Sequence, residues 1–380
     1  ARTETDGQWH FLGVIPLYDP LREDSKATVE AAEALGLQVK MVTGDQLAIA
    51  KEVAHQLDLG PNIISAAVFG ETREHESGQL ADAIEQADGF AQVFPEHKYH
   101  IVDVLQQHGH IVGMTGDGVN DAPALKKADA GIAVSGATDA ARSAASIALL
   151  SPGLSVIVDA IREARRIFER MLSYAVYRIS ETVALLGFLT ITIVAFHVYP
   201  VSAIMIVFLA ILNDGSILSI AYDNTRSAPA PLRWQMSSVM GMSGALGGFA
   251  IMRSLGMYAI ATDRLGLGAG AVMTMIYLNL SVGGIFTLYA ARTRGPFWTV
   301  VPGPLLLLVT FAAQLIATLI SVYGLLVTPI GWANAGLVWA YCAVMFVIQD
   351  GVKLAAARLF RREHSGFIAP PAHAEPARRR

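Results

Sequence analysis

Charge is what this sequence lacks over half its length. Between residues 174 and 355 acids and bases are sparse, whereas residues 1–170 carry most of those in the chain. Globular surfaces need charged residues all round, so the asymmetry excludes a single water-soluble domain. It implies a soluble part followed by a membrane part, and 380 residues suffice for two or three domains. Cysteine is nearly absent as well. Cys342 stands alone in an apolar segment, which excludes a disulfide framework and marks it as a small buried hydrophobe. A net charge of −4 leaves no basic excess for a nucleic-acid partner. The sequence has no signal-peptide pattern and no initiator Met; it opens on Ala1 within what reads as a domain, which suggests a fragment or a truncated reading of the gene.

What the second half does have is apolar length. A spanning helix needs about 20 mostly apolar residues. Six segments qualify, at about 174–196, 200–222, 238–261, 269–290, 303–326 and 332–354. With the soluble part in the cytoplasm, six spans return the tail to the same side. Arg226, Arg233, Arg292, Arg294, Arg358, Arg361 and Arg362 then lie inside and Arg264 outside, as the positive-inside rule requires. The tail 364–380, with Pro370-Pro371 and a terminal Arg378-Arg379-Arg380, reads as disordered.

The soluble part alternates short apolar strands with helices, the pattern of an α/β parallel sheet in which ligands bind beyond the carboxyl ends of strands. Phe11 to Leu17 reads as a strand, followed by a turn at Asp19-Pro20 and a helix from Ser25 to Leu35. A strand Leu37 to Val42 runs into Thr43-Gly44-Asp45 and a helix ending near Leu57. Thr43 offers a hydroxyl and Gly44 an unhindered N–H, both suited to phosphoryl oxygens; a plain helix cap by Thr43 or Asp45 is the alternative. Phe90 to Phe94 is a strand leading into a helix from Pro95 to Gln107. Lys98 near that helix start opposes the helix dipole, a poor place for stability but a good one for answering a phosphate. His97, His100, His108 and His110 look scattered, without zinc-site spacing.

The centre of the chain is Met114-Thr115-Gly116-Asp117-Gly118-Val119-Asn120-Asp121-Ala122-Pro123-Ala124-Leu125. A strand, Ile111 to Met114, breaks at a Gly-rich turn whose backbone N–H groups can face an anion, and a helix restarts near Pro123. Asp117 and Asp121 flanking Asn120 suit a hard dication such as Mg²⁺. Further strands follow at Ala130 to Val134 and Ile147 to Leu150. Leu154 to Leu172 is then a basic amphipathic helix that enters the membrane at about Tyr174 without a breaker, a mechanical coupler and an anchor for anionic lipid.

This run, with its continuation Lys126 to Val134, resembles the hinge signature of the P-type ATPases, ion pumps that pass through an aspartyl-phosphate. Nearly the whole chain shares the resemblance, which thins after about residue 225. It implies a haloacid-dehalogenase-like, Rossmann-type parallel sheet, incomplete here, followed by an α-helical membrane bundle of six transmembrane helices. The expected division is residues 1–153 for the carboxy-terminal part of the phosphorylation domain, 154–173 for a stalk helix, 174–357 for the membrane domain and 358–380 for a cytoplasmic tail. It implies ATP as substrate and Mg²⁺ as cofactor, held by Asp117 with Asp121 behind or beside it. Thr43, Lys98 and Asn120 grip phosphoryl oxygens, and Gly44 and Asp45 shape the nucleotide and phosphate loop. Gln92 stands where several relatives carry Arg. The family's nucleophile lies in Asp-Lys-Thr-Gly-Thr, which is nowhere in this sequence. It is expected upstream, with the actuator and nucleotide-binding domains and the first membrane helices, so this chain by itself is expected to be inactive.

Ionisable residues within spans are functional candidates. Asp214, in Ala210-Ile211-Leu212-Asn213-Asp214-Gly215, sits deep in the second span, with Gly215 expected to allow local unwinding. A single carboxylate suits a proton better than a cation needing six or more oxygens; a static buried Asp paired to an Arg is the alternative. Arg178 and Glu181 are one turn apart in the first span and can pair with each other. Leu-Asn-Asp and Tyr177-Arg178-Ile179-Ser180-Glu181-Thr182 resemble the plasma-membrane proton pumps, in which the Asp carries the proton. That resemblance implies roles in proton transport for Asp214, Asn213, Arg178 and Glu181 and a multi-pass protein of the plasma membrane. The Arg that many proton pumps place at Ala184 is missing, with Arg178 or Arg253 as stand-ins. Two alternatives remain: a pump for another cation, or a non-catalytic membrane-bound remnant or regulator.

Overall fold

A computed structural model describes residues 2–5, 8–11, 20–69, 78–226 and 234–364. The backbone divides into two compact units, one reaching Arg162 and the other beginning at Glu163.

The first unit opens with an antiparallel pair, β1 (Arg2–Thr5) and β2 (Gln8–Phe11). The expected strand Phe11 to Leu17 thus meets only the end of β2, and its remainder, with Asp19, lies outside the described residues. The order then runs α1 (Ser25–Ala34), β3 (Met41–Val42), α2 (Leu47–Gln56), β4 (Ile63–Ser65), α3 (Gly78–Gln86), β5 (Gly89–Ala91), α4 (Pro95–Gln107), β6 (Gly113–Gly116), α5 (Ala122–Lys127), β7 (Ala130–Ala133), α6 (Asp139–Ala144) and β8 (Ile147–Ala148). The strands from β3 onward pair in parallel in two three-stranded sheets, ordered β3-β5-β4 and β6-β7-β8. β5 is buried throughout because helices cover both faces; Phe90 packs with Ile84, Ile101 and Val104. Gly131 is required on β7: a Cβ there would overlap the Leu125 carbonyl, so α5 lies directly on the strand.

The last helix of this unit is the start of α7 (Ser155–Phe196), 42 residues without interruption. Its first amides are capped from far away in sequence. Asp24 Oδ2 accepts from Leu154 N at 2.9 Å and Ser155 N at 3.5 Å, an acidic cap at the positive end of the helix.

The second unit contains the rest of α7 with α8 (Ala203–Leu218), α9 (Met236–Ala259), α10 (Ala269–Ala291), α11 (Pro304–Tyr323) and α12 (Gly331–His364). Six helices among the described residues are long and apolar enough to cross a membrane, and they coincide with the six segments expected from hydropathy. α10 is the hub, packing against α8, α9, α11 and α12. An all-round apolar helix buried this way needs polar links to fix its neighbours. Asn279 donates to Ser254 (3.2 Å), Ser281 to Gln314 (3.1 Å), and the Tyr289 and Thr310 hydroxyls meet at 2.7 Å. Cys342 is a free, buried thiol, as its apolar setting implied. Gly215 does not unwind its span: α8 is helical from Ala203 through Leu218, since glycine permits a break in a helix without imposing one. The tail 365–380 lies outside the described residues.

Candidate functional site

Three loops at the carboxyl ends of β3, β5 and β6 carry the soluble candidates. After β3, Thr43 Oγ1 donates to Asp45 Oδ2 (2.8 Å) and accepts from Asp45 N (3.1 Å), an internal turn that leaves Gly44 exposed. This loop is tied to the one after β5: Val93 N donates to Thr43 O (3.0 Å) and Gln92 N to Asp45 O (2.9 Å). Gln92 takes a left-handed φ of 58° to do so, and its side chain accepts from Ser65 Oγ at 2.6 Å. Three residues on, Pro95 at the first helical position starts α4, whose first turn presents Lys98.

Lys98 reaches the third loop. Its Nζ lies 2.6 Å from Asp121 Oδ1, while Asp121 Oδ2 accepts from the backbone of Asp117 and Gly118, both at 3.1 Å. Asp121 is therefore the post that holds the turn shut. Gly116 makes room for it, since a Cβ there would lie 2.5 Å from the Asp121 Cβ. Burial pushes the Asp121 carboxyl upward, but the Lys98 ammonium and the two amides outweigh it and leave it below the ordinary carboxylate range. Asp117 is the opposite case: exposed, with no hydrogen bond or ion pair to its carboxylate among the described residues. Asn120 is also exposed at the turn. A hard dication fits Asp117, a free anionic oxygen donor beside a turn. Asp121 has both oxygens engaged and supplies a ligand only if Lys98 lets go.

The membrane unit places its charged candidates in two groups. Arg178 Nη1 meets Asp214 Oδ1 at 2.8 Å, joining α7 to α8, with side chains 49% and 50% exposed. Arg178 does not pair with Glu181, although the two are one turn apart. Glu181 lies instead against α10, where a Cβ on Gly284 would come within 3.0 Å of its carboxylate and 3.4 Å of Asn213 Nδ2. Arg253 fills the space over Gly283 and donates to its carbonyl at 3.0 Å, so it does not serve Asp214. Gly283 and Gly284 are thus the small residues that admit two charged side chains among α7, α8, α9 and α10. Tyr177 is fully buried.

Two arrangements escaped the sequence reading. Asp223 and Arg292 form a bidentate pair (2.7 and 3.0 Å), each side chain 1% exposed, and Asp223 also accepts from Gly303 N at 2.8 Å. Their acid and base stand just outside expected spans, where charge raised no signal. Nor are the histidines all scattered: His108 and His110 both contact Glu85, at 2.8 and 2.7 Å.

Residues 1–129 match the haloacid dehalogenase-like hydrolases. Over 356 residues the chain is 48% identical to a Methanocaldococcus jannaschii protein named as a putative cation-transporting ATPase, covering 92% of this chain and 44% of that one. It is 45% and 46% identical over 332 residues to plasma membrane ATPases 2 and 1 of Saccharomyces cerevisiae, covering 85% of this chain and 35% and 36% of theirs. The chain therefore spans less than half the length of these curated relatives.

Proposed function

We propose, from the support that the haloacid dehalogenase-like match and these relatives give to the P-type ATPase family, that this chain is the carboxy-terminal part of a proton-exporting pump of that family. In the whole protein, ATP phosphorylates an Asp upstream of these residues, and the energy drives a proton out across the plasma membrane. The observation that carries the proton reading is the Arg178–Asp214 pair at 2.8 Å.

In the soluble unit, catalysis of phosphoryl transfer is mostly positioning and charge neutralisation. Asp117 would hold Mg²⁺, which when bound would supply neutralisation of the phosphoryl charge. Thr43 and the Gly44 amide lie on one of the linked loops and hold phosphoryl oxygens, with Asp45 keeping the Thr43 turn closed. Asn120 adds an amide donor from the turn. Lys98 waits on Asp121 and moves its ammonium to the phosphoryl group when that larger negative charge arrives. The Asp117–Asp121 turn thus senses phosphorylation through the loss of its Lys98 contact.

In the membrane unit, a half-exposed ion pair inside an apolar span does not face lipid, since a single charge at mid-bilayer costs about 3 kcal/mol or more. That face of α7 and α8 is covered by upstream membrane helices or lines a water path. Asp214 takes up a proton when Arg178 moves aside and loses it when the guanidinium returns. Asn213, the residue before Asp214, and Glu181 form a second polar group on the α10 side, beside Gly284. The soluble unit and the tail are cytoplasmic, by the arginine distribution.

The test is ATP-driven acidification of inverted membrane vesicles carrying the full-length protein. Asp214→Asn abolishes acidification while ATP-dependent phosphorylation remains; unchanged proton uptake in that variant refutes the carrier assignment. A pump for another cation is the second reading, favoured by Glu181 beside Asn213, two oxygen-bearing side chains at one place. It predicts that the ion concerned, rather than pH, controls dephosphorylation.

A further inference from the structure

Away from the phosphoryl loops, α3 and the end of α4 bring four metal-binding side chains together. Asp82 and Glu85 are three residues apart on α3 and share one face. α4 stops at Gln107 because Gly109 takes a left-handed φ of 82°. Gly109 N then bonds Gln106 O (2.9 Å) and His110 N bonds Leu105 O (3.1 Å), a Schellman-type ending that only glycine adopts without strain. This turn puts both flanking imidazoles on one carboxylate: His108 Nδ1 is 2.8 Å from Glu85 Oε2, and His110 Nε2 is 2.7 Å from Glu85 Oε1. One donor atom each from Asp82, Glu85 and His108 lies within 4.8 Å of the others.

We propose that Asp82, Glu85 and His108 form a surface site for a borderline transition-metal dication of the Zn²⁺ type, with His110 as the residue that positions Glu85. Ligand atoms around tetrahedral Zn²⁺ stand about 3.3 Å apart at bond lengths of ~2.0–2.1 Å, so the three donors need only small side-chain rotations to close on the ion. The ligands carry two negative charges. The neighbouring cation, Lys40, is turned to the backbone carbonyls of Glu85 and Ala87 rather than to either carboxylate. An imidazole ligand selects Zn²⁺, Ni²⁺ or Cu²⁺ over Mg²⁺, which takes oxygen ligands and keeps its water. A second imidazole hydrogen-bonded to a ligating carboxylate is the usual outer support of such a site. It lies where α4 ends, before the amino-terminal end of β6, whereas the loops of Thr43 and Asp117 follow the carboxyl ends of β3 and β6, so it suits a regulatory or stabilising metal.

The test titrates Zn²⁺ into the untagged 380-residue chain in detergent, against a chromophoric Zn²⁺ chelator, with excess Mg²⁺ present throughout. The expected result is one Zn²⁺ per chain with micromolar or tighter affinity, unchanged by Asp117→Asn. His108→Gln and Asp82→Asn remove saturable binding, and His110→Gln weakens it by about 10-fold. Co²⁺ gives a visible absorption band that His108→Gln eliminates and His110→Gln shifts, a signature that a merely structural histidine leaves alone. The proposal is overturned if no saturable Zn²⁺ binding occurs, if Mg²⁺ displaces Zn²⁺, or if binding survives His108→Gln in a chain that melts like the parent.

Discussion

Replacing Asp121 by Ala tests whether this side chain is the post of the phosphoryl turn. The change strands the Lys98 ammonium, whose side chain is 20% exposed, and frees the amides of Asp117 and Gly118. Removing one partner of a fully buried pair costs about 3–5 kcal/mol. The part-exposed Lys98 can reach water, which brings that to about 2 kcal/mol, and the two amides add about 1 kcal/mol. The total of about 3 kcal/mol lowers the melting temperature of a unit this size by about 6–12 °C. Differential scanning calorimetry of the chain in detergent, following the transition of the soluble unit, reads this directly. Asp121→Asn keeps an acceptor for the amides and loses less. The pH dependence has a fixed sign. Because the folded carboxyl is held below its unfolded value of about 3.9, its stabilisation is complete above that value. It fades as pH falls through the folded value, so parent and Asp121→Ala converge in acid. A melting temperature within 1 °C of the parent at neutral pH, or a gap that persists in acid, would refute the reasoning.

Gly116→Ala places a Cβ 2.5 Å from that of Asp121 and pushes it off Lys98, costing about 1–3 kcal/mol by the same calorimetric reading. Asp24→Ala uncaps α7 at Leu154 and Ser155; the expected loss of about 0.5–2 kcal/mol appears as faster amide exchange in the first turn of that helix. Arg292→Met leaves Asp223 buried and unpaired, a loss of about 3–5 kcal/mol in the membrane unit, measured by unfolding in mixed micelles. Asp223→Asn with Arg292→Met together costs less than the sum of the two single changes, which a double-mutant cycle detects.

What the sequence determined alone is everything that local pattern can encode. The six spans follow from apolar length, and each coincides with a helix long enough to cross a bilayer. Helix α4 runs from Pro95 to Gln107 as expected, because proline pre-sets its first turn and glycine at 109 stops it. The absence of a breaker between Leu154 and Tyr174 became one helix of 42 residues. Strands were legible in place but too long in extent, since β3 keeps only Met41 and Val42 of the expected Leu37 to Val42. β4, α3 and α6 were not anticipated; β4 and α6 are too short to show a period, whereas α3 does carry an amphipathic helical pattern that the sequence reading passed over. Partnership is what only the tertiary structure decided. Spacing put Glu181 one turn from Arg178, yet Arg178 pairs with Asp214, 36 residues away, while Glu181 lies beside Gly284 of α10. The same holds for Asp24 at the start of α7, Lys98 on Asp121, and two histidines on Glu85. A sequence period fixes which face a side chain occupies; which charge meets it there depends on the packing that brings distant elements together and on the cost of leaving either charge unpaired.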